Sequence, residues 1–89
     1  MKMKSQSGEP YFVSALARGL EVLSCFSDGT ALGMAELAGT TNIPASTVWR
    51  ICFTLEKCGY IVKAEGGSKW HVAPGVTVNI PRDRSNLRD

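Results

Sequence analysis

At 89 residues with 44% hydrophobic content, the chain has material for one small globular domain and not for two. It carries a formal charge of only +2, so net charge alone gives no argument for a nucleic-acid partner. No apolar run is long enough to span a membrane, and MKMKSQSGEP lacks the apolar centre of a secretory signal. Three cysteines, Cys25, Cys52 and Cys58, lie inside apolar helical patterns with no close CxxC pair. That argues against a disulfide scaffold and against a metal site completed by His71, and it favours reduced thiols in a cytoplasm.

In chain order, residues 1–10 mix Lys, Ser, Gln, Gly and Pro and read as a flexible arm. The domain is expected over 11–75. Ser14 is a candidate N-cap for a first helix reaching about Phe26, with Leu16, Leu20, Val22, Leu23 and Phe26 on one broad apolar face. Gly19 lies inside this helix, where it is unfavourable unless something packs closely against it. Arg18 is its one cation and is equally suited to a phosphate or to solvent. Ser27-Asp28-Gly29-Thr30 then reads as a turn.

Leu32 to Tyr60 is the informative stretch. Met34, Leu37 and Ala38 place an apolar stripe on a short second helix. Asn42 stands where the chain turns, because Asn tolerates left-handed backbone angles. Pro44 fits the first position of a longer third helix. On that helix Pro44, Val48, Ile51, Cys52 and Leu55 fall on one side. Ser46, Arg50 and Lys57 fall on the other, flanked by Thr47, Trp49 and Thr54. This outer face is small, hydroxylated, aromatic and positive, unlike the Glu/Lys lattice of an ordinary solvated helix. The pattern is a helix-turn-helix, whose second helix can enter the DNA major groove.

Gly59 suits a left-handed helix end. Strands are expected over 60–64 and 69–73, joined by Glu65-Gly66-Gly67-Ser68 as a hairpin turn. Tyr60, Ile61, Trp70 and Val72 are expected to pack the hairpin on the helices, with His71 toward solvent and Lys63 and Lys69 near the backbone of a duplex. Residues 75–81 alternate like a short strand, and 76–89 as a whole read as a disordered C-terminal tail, most plainly over the last eight residues, 82–89. The fold class is mostly α with a small β-hairpin: a winged helix-turn-helix of three helices and a two-stranded wing.

With these pieces in order, residues from about 11 to 73 resemble the N-terminal domain of the IclR family of bacterial transcriptional regulators. The matching segments are SALARGLEVL from Ser14, MAELA from Met34, IPASTVWRI from Ile43 and LEKCGYI from Leu55. The resemblance implies a homodimer on a palindromic double-stranded operator, with the helix from Pro44 in the major groove. It places Ser46, Thr47 and Arg50 against DNA and Arg18 near the backbone; with Trp49, Lys57, Lys63 and Lys69 these are the candidate DNA-binding residues. Three departures stand out. Ala45 replaces a common Lys or Arg, and Phe53 occupies the outer half of the recognition helix, where it is free to meet a partner. The family's linker helix and effector-binding domain are missing, so the chain is expected to be a fragment, a truncated product or a free-standing module.

No cofactor is expected. One His, no paired carboxylates and no phosphate-cradling glycine loop give an enzyme little support. The alternative is a winged-helix protein-interaction module, suggested by Trp49 and Phe53 and opposed by Arg50 and Lys57 on the same face.

Overall fold

The computed structural model describes residues 10–27 and 29–80. The expected N-terminal arm, apart from Pro10, and the charged C-terminal residues 81–89 lie outside them. In chain order the elements are α1 (Ser14–Ser24), α2 (Met34–Thr41), α3 (Ala45–Lys57), β1 (Ile61–Lys63) and β2 (Trp70–Val72). The two strands are antiparallel, with Ile61 opposite Val72, Val62 opposite His71 and Lys63 opposite Trp70. This is the expected three-helix, two-stranded winged helix.

The core lies where the helices meet the wing. Val22, Phe26, Leu37, Val48, Cys52 and Ile61 are fully buried there, with Trp70 beside them. Each helix contributes residues at helical spacing, so burial of apolar side chains supplies the stability that short isolated helices lack.

Local chemistry fixes the turn between α2 and α3. Asn42 takes φ 64°, and its N–H reaches the Ala38 carbonyl at 2.8 Å. The buried Thr41 hydroxyl donates to the Leu37 carbonyl at 2.7 Å and accepts the Ile43 N–H at 3.2 Å. Three residues therefore suffice to redirect the chain into α3. Pro44 is the N-cap of α3 instead of its first helical residue: its ψ of 143° is extended, while its carbonyl already accepts from Thr47 and Val48. The C-terminus of α3 closes in a Schellman arrangement, with Tyr60 N–H to Leu55 and Gly59 N–H to Glu56. Gly59 takes φ 90° to allow it.

Several sequence expectations need correction. Val13, not Ser14, is the N-cap of α1, with its carbonyl accepting from Ala17, and no side chain caps the helix. α1 ends at Ser24, and residues 25–27 continue as a turn. Leu16 and Leu20 are 60% and 40% exposed. The buried side of α1 follows Val22, Leu23 and Phe26, and the wider apolar stripe overruns it onto an open flank. Nothing lies within 4 Å of a side chain built at Gly19, so close packing does not explain that glycine. Tyr60 is 47% exposed, because it caps α3 through its backbone before the strand begins.

Residues 76–80 form no strand. They are also not a detached tail, since Val78 and Ile80 pack against the core and the Ser27 hydroxyl, which donates to the Ser24 carbonyl at 2.6 Å, also has the Ile80 carbonyl oxygen at 3.2 Å. His71 is half-buried, with Nδ1 2.9 Å from the Val72 carbonyl oxygen.

Candidate nucleic-acid interface

α3 is amphipathic, and its two sides behave differently. Val48 and Cys52 are buried, and Ile51 and Leu55 are half-buried against the core. Ser46, Arg50, Phe53 and Lys57 follow at spacings of four, three and four residues, which makes one exposed stripe along the helix. Thr54 turns its hydroxyl back onto the Arg50 carbonyl at 2.8 Å, so it offers the surface mainly its methyl group. α3 begins without a side-chain cap, which leaves its first N–H groups available to an external acceptor such as a phosphate oxygen.

Arg18 approaches from α1. It lines a cleft of about 730 Å³ between α1 and α3, together with Thr47, Arg50, Leu16, Leu20 and Leu55. The two arginines and Thr47 thus border one surface although they are distant in sequence. That arrangement places positive charge on the flank of α3, where an acidic backbone could pass.

The wing is tied down from both sides. Trp70 exchanges two backbone hydrogen bonds of 2.9 Å with Leu32, so β2 lies between β1 and the segment that leads into α2. With both Trp70 backbone groups turned to Leu32, Trp70 and Lys63 form the closer, non-hydrogen-bonded type of cross-strand pair. Lys63 Nζ accordingly lies 5.6 Å from the Trp70 ring centroid. Lys69 lies 3.4 Å from Glu36 Oε1, an exposed pair of small energetic worth. Glu36 also accepts the Gly33 N–H at 2.7 Å, one half of a capping box, and Gly33 has no side chain to complete the other half. A side chain at Gly33 would come within 3.4 Å of the Ser68 carbonyl, so a glycine lets the wing turn approach α2 closely. Both wing lysines therefore have partners inside the domain.

Trp49 is 49% exposed and stacks on Phe53, with ring centroids 5.4 Å apart and planes 14° apart. Lys57 Nζ lies 5.5 Å from the Phe53 centroid. The sequence expectation set Phe53 on the outer half of α3 but outside the candidate DNA-binding residues; the structure adds its stacking on Trp49 and its contact with Lys57. The Trp49-Phe53-Lys57 spacing of four and four was the available signal.

Among the described residues no cluster of His, Cys, Asp and Glu could hold a metal ion, and no helix is long and apolar enough to cross a membrane. Cys25 and Cys52 are buried and Cys58 is exposed, with no disulfide. Burial pushes the Cys52 thiol up to about 11, with the neighbouring Cys25 and Glu56 adding to the effect.

This geometry has close counterparts. The family model of the IclR helix-turn-helix domain matches residues 15–65. The chain belongs to the IclR family. It is 51% identical over 49 residues to the HTH-type transcriptional regulator TsaQ1/TsaQ2 of Comamonas testosteroni, covering 55% of this chain and 18% of that protein. It is 37% identical over 60 residues to the Pca regulon regulatory protein of Pseudomonas putida, covering 66% and 21% respectively. The crystal structure of an IclR family transcriptional regulator from Brucella abortus superposes with a TM-score of 0.70 at 36% identity, covering 83% of this chain and 28% of that one. The chain spans about a fifth of the length of the curated relatives it matches. IclR helix-turn-helix membership accounts for the winged fold and for the ordered motif from Ile43 to Ile61.

Proposed function

We propose that this IclR-family domain is a sequence-specific reader of double-stranded DNA in bacterial transcription regulation. The observation that carries the reading is the exposed stripe of α3, where Ser46 and Arg50 project from a helix held by its opposite face. In the major groove, Arg50 presents a planar fork matched to guanine O6 and N7. Ser46, Thr47 and Trp49 share the same end of the helix. Arg18, on the flank, and Lys57, farther along the stripe, suit phosphates that border the groove.

Lys63 and Lys69 have a secondary role in this reading. Exchanging an exposed intramolecular ion pair or ring contact for a phosphate costs little, so both remain available to a duplex backbone beside the wing. A palindromic operator bound by a homodimer, in the bacterial cytoplasm, is the arrangement that fits a chain of this family.

The test is selection from a randomised duplex pool, followed by fluorescence-anisotropy titration of the winner at two salt concentrations. The reading requires a preferred sequence and a Kd that rises steeply with salt. Arg50→Ala should cost about 1–3 kcal/mol and relax the preference at one base pair. A duplex-independent loss with a shallower salt slope would move Arg50 to the phosphates, and absence of binding at low salt would refute DNA reading by this domain.

A further inference from the structure

Two large rings lie exposed on the outer side of a helix whose inner side is already packed. Trp49 and Phe53 are 49% and 46% exposed, and neither belongs to the core cluster. They are nevertheless ordered against each other, stacked at 5.4 Å, and Lys57 lies over the second ring at 5.5 Å. Such a ladder keeps Phe53 in a defined position before anything binds, so little conformational freedom remains to be lost on contact. Phe53 also follows Ser46 by seven residues and Arg50 by three, on the same exposed stripe.

A phenyl ring has no hydrogen-bonding group to offer a base edge. In the major groove the one base feature that an apolar side chain reads is the C5-methyl of thymine. Three residues advance the helix by about 4.5 Å, on the order of one base-pair step of about 3.4 Å. We propose that Phe53, braced by Trp49 and Lys57, is a specificity-determining residue that packs on a thymine C5-methyl one or two base pairs from the Arg50 contact. The inference rests on the DNA-reading function above and names part of what is read. Lys57 serves twice: it holds the ring from one side and places its charge toward the adjoining phosphate.

Deoxyuridine in place of thymine removes only the methyl group, so it isolates this contact. Each thymine of the pool-selected duplex is replaced in turn, and anisotropy is measured with the parent chain and with Phe53→Ala. For the parent, one thymine in each half-site should lose about fourfold in affinity on conversion to uracil, the equivalent of one buried methyl. Phe53→Ala should bind the thymine duplex more weakly and be indifferent to that same conversion. Phe53 is outside the core, so the variant should fold; circular dichroism checks this, and Phe53→Leu replaces it if it does not. A parent that tolerates every conversion, a selected half-site with no thymine, or equal uracil sensitivity in the Phe53 variant overturns the inference while leaving DNA reading intact. Failure to select any duplex defeats the DNA reading itself, and this inference with it.

Discussion

The indole Nε1–H of Trp70 donates to Glu56 Oε1 at 3.2 Å, joining the second wing strand to the last full turn of α3. The same tryptophan bonds Leu32 through its backbone and carries Lys63 against its ring. The side chain of Trp70 thus ties the wing to α3, while its backbone ties the wing to the approach to α2.

Removing that side chain should cost more than any surface change in the domain. Trp70→Ala is expected to destabilise by about 3–5 kcal/mol, read as a lower urea midpoint. Glu56→Leu leaves the indole N–H without its acceptor and should cost about 1–3 kcal/mol. Glu56→Gln keeps an acceptor and should stay within about 0.5 kcal/mol of the parent. If the leucine variant is as stable as the glutamine variant, the hydrogen bond does not contribute.

Thr41 offers a second test, at the turn. Thr41→Val keeps the shape and deletes the hydroxyl, leaving the buried Ile43 N–H without an acceptor. The cost should be about 1–3 kcal/mol, measured by chemical denaturation. Because this hydroxyl sets where α3 begins, affinity for a selected duplex should fall as well. Unchanged stability would mean that the Asn42 cap holds the turn alone.

Glu36 makes stability depend on pH with a definite sign. The Gly33 N–H is the main influence holding its carboxyl below the ordinary value; desolvation opposes this, and Lys69 adds to the lowering. A carboxylate depressed in the folded state stabilises at pH values above its unfolded pKa. That contribution disappears as the pH falls through the folded value. The Tm difference between the parent and Glu36→Gln should therefore narrow on acidification from neutral pH. A difference independent of pH would contradict the assignment.

The thiols should separate by accessibility. Cys58 is exposed, Cys25 and Cys52 are buried, and Cys52 is additionally disfavoured as a thiolate. A maleimide at neutral pH should label Cys58 rapidly in the native protein and the other two only after denaturant is added. Mass spectrometry of the peptides decides the order; early labelling of Cys52 would show that the α1–α3 packing opens readily.

The elements that were legible in the sequence depend on local rules. The spacing of Leu37, Val48 and Cys52 marks helix faces, and Asn42 and Gly59 take the positive φ that asparagine tolerates and that glycine, without a Cβ, adopts freely. Gly66 and Gly67 do the same in the wing turn. The ordered motif then placed α3 within a known family. The exposed stripe of Ser46, Arg50 and Lys57 follows from helical periodicity, which any chain of this sequence must obey once α3 forms.

Other features depend on how neighbouring elements compete for the same space. Leu16 and Leu20 have core-like spacing, yet the core takes Val22, Leu23 and Phe26 from α1 and the turn after it and leaves both leucines exposed. Val78 and Ile80 gain burial only because the helices leave a surface for them. The Leu32–Trp70 bridge, the Trp70–Glu56 bond and the meeting of Arg18 with Arg50 at one cleft join residues far apart in sequence. Sequence by itself determined which segments become helix, turn and wing, because those choices rest on backbone and side-chain preferences a few residues long. Tertiary structure alone decided which apolar residues stay exposed and which polar groups meet, because burial is shared among elements and no single segment encodes it.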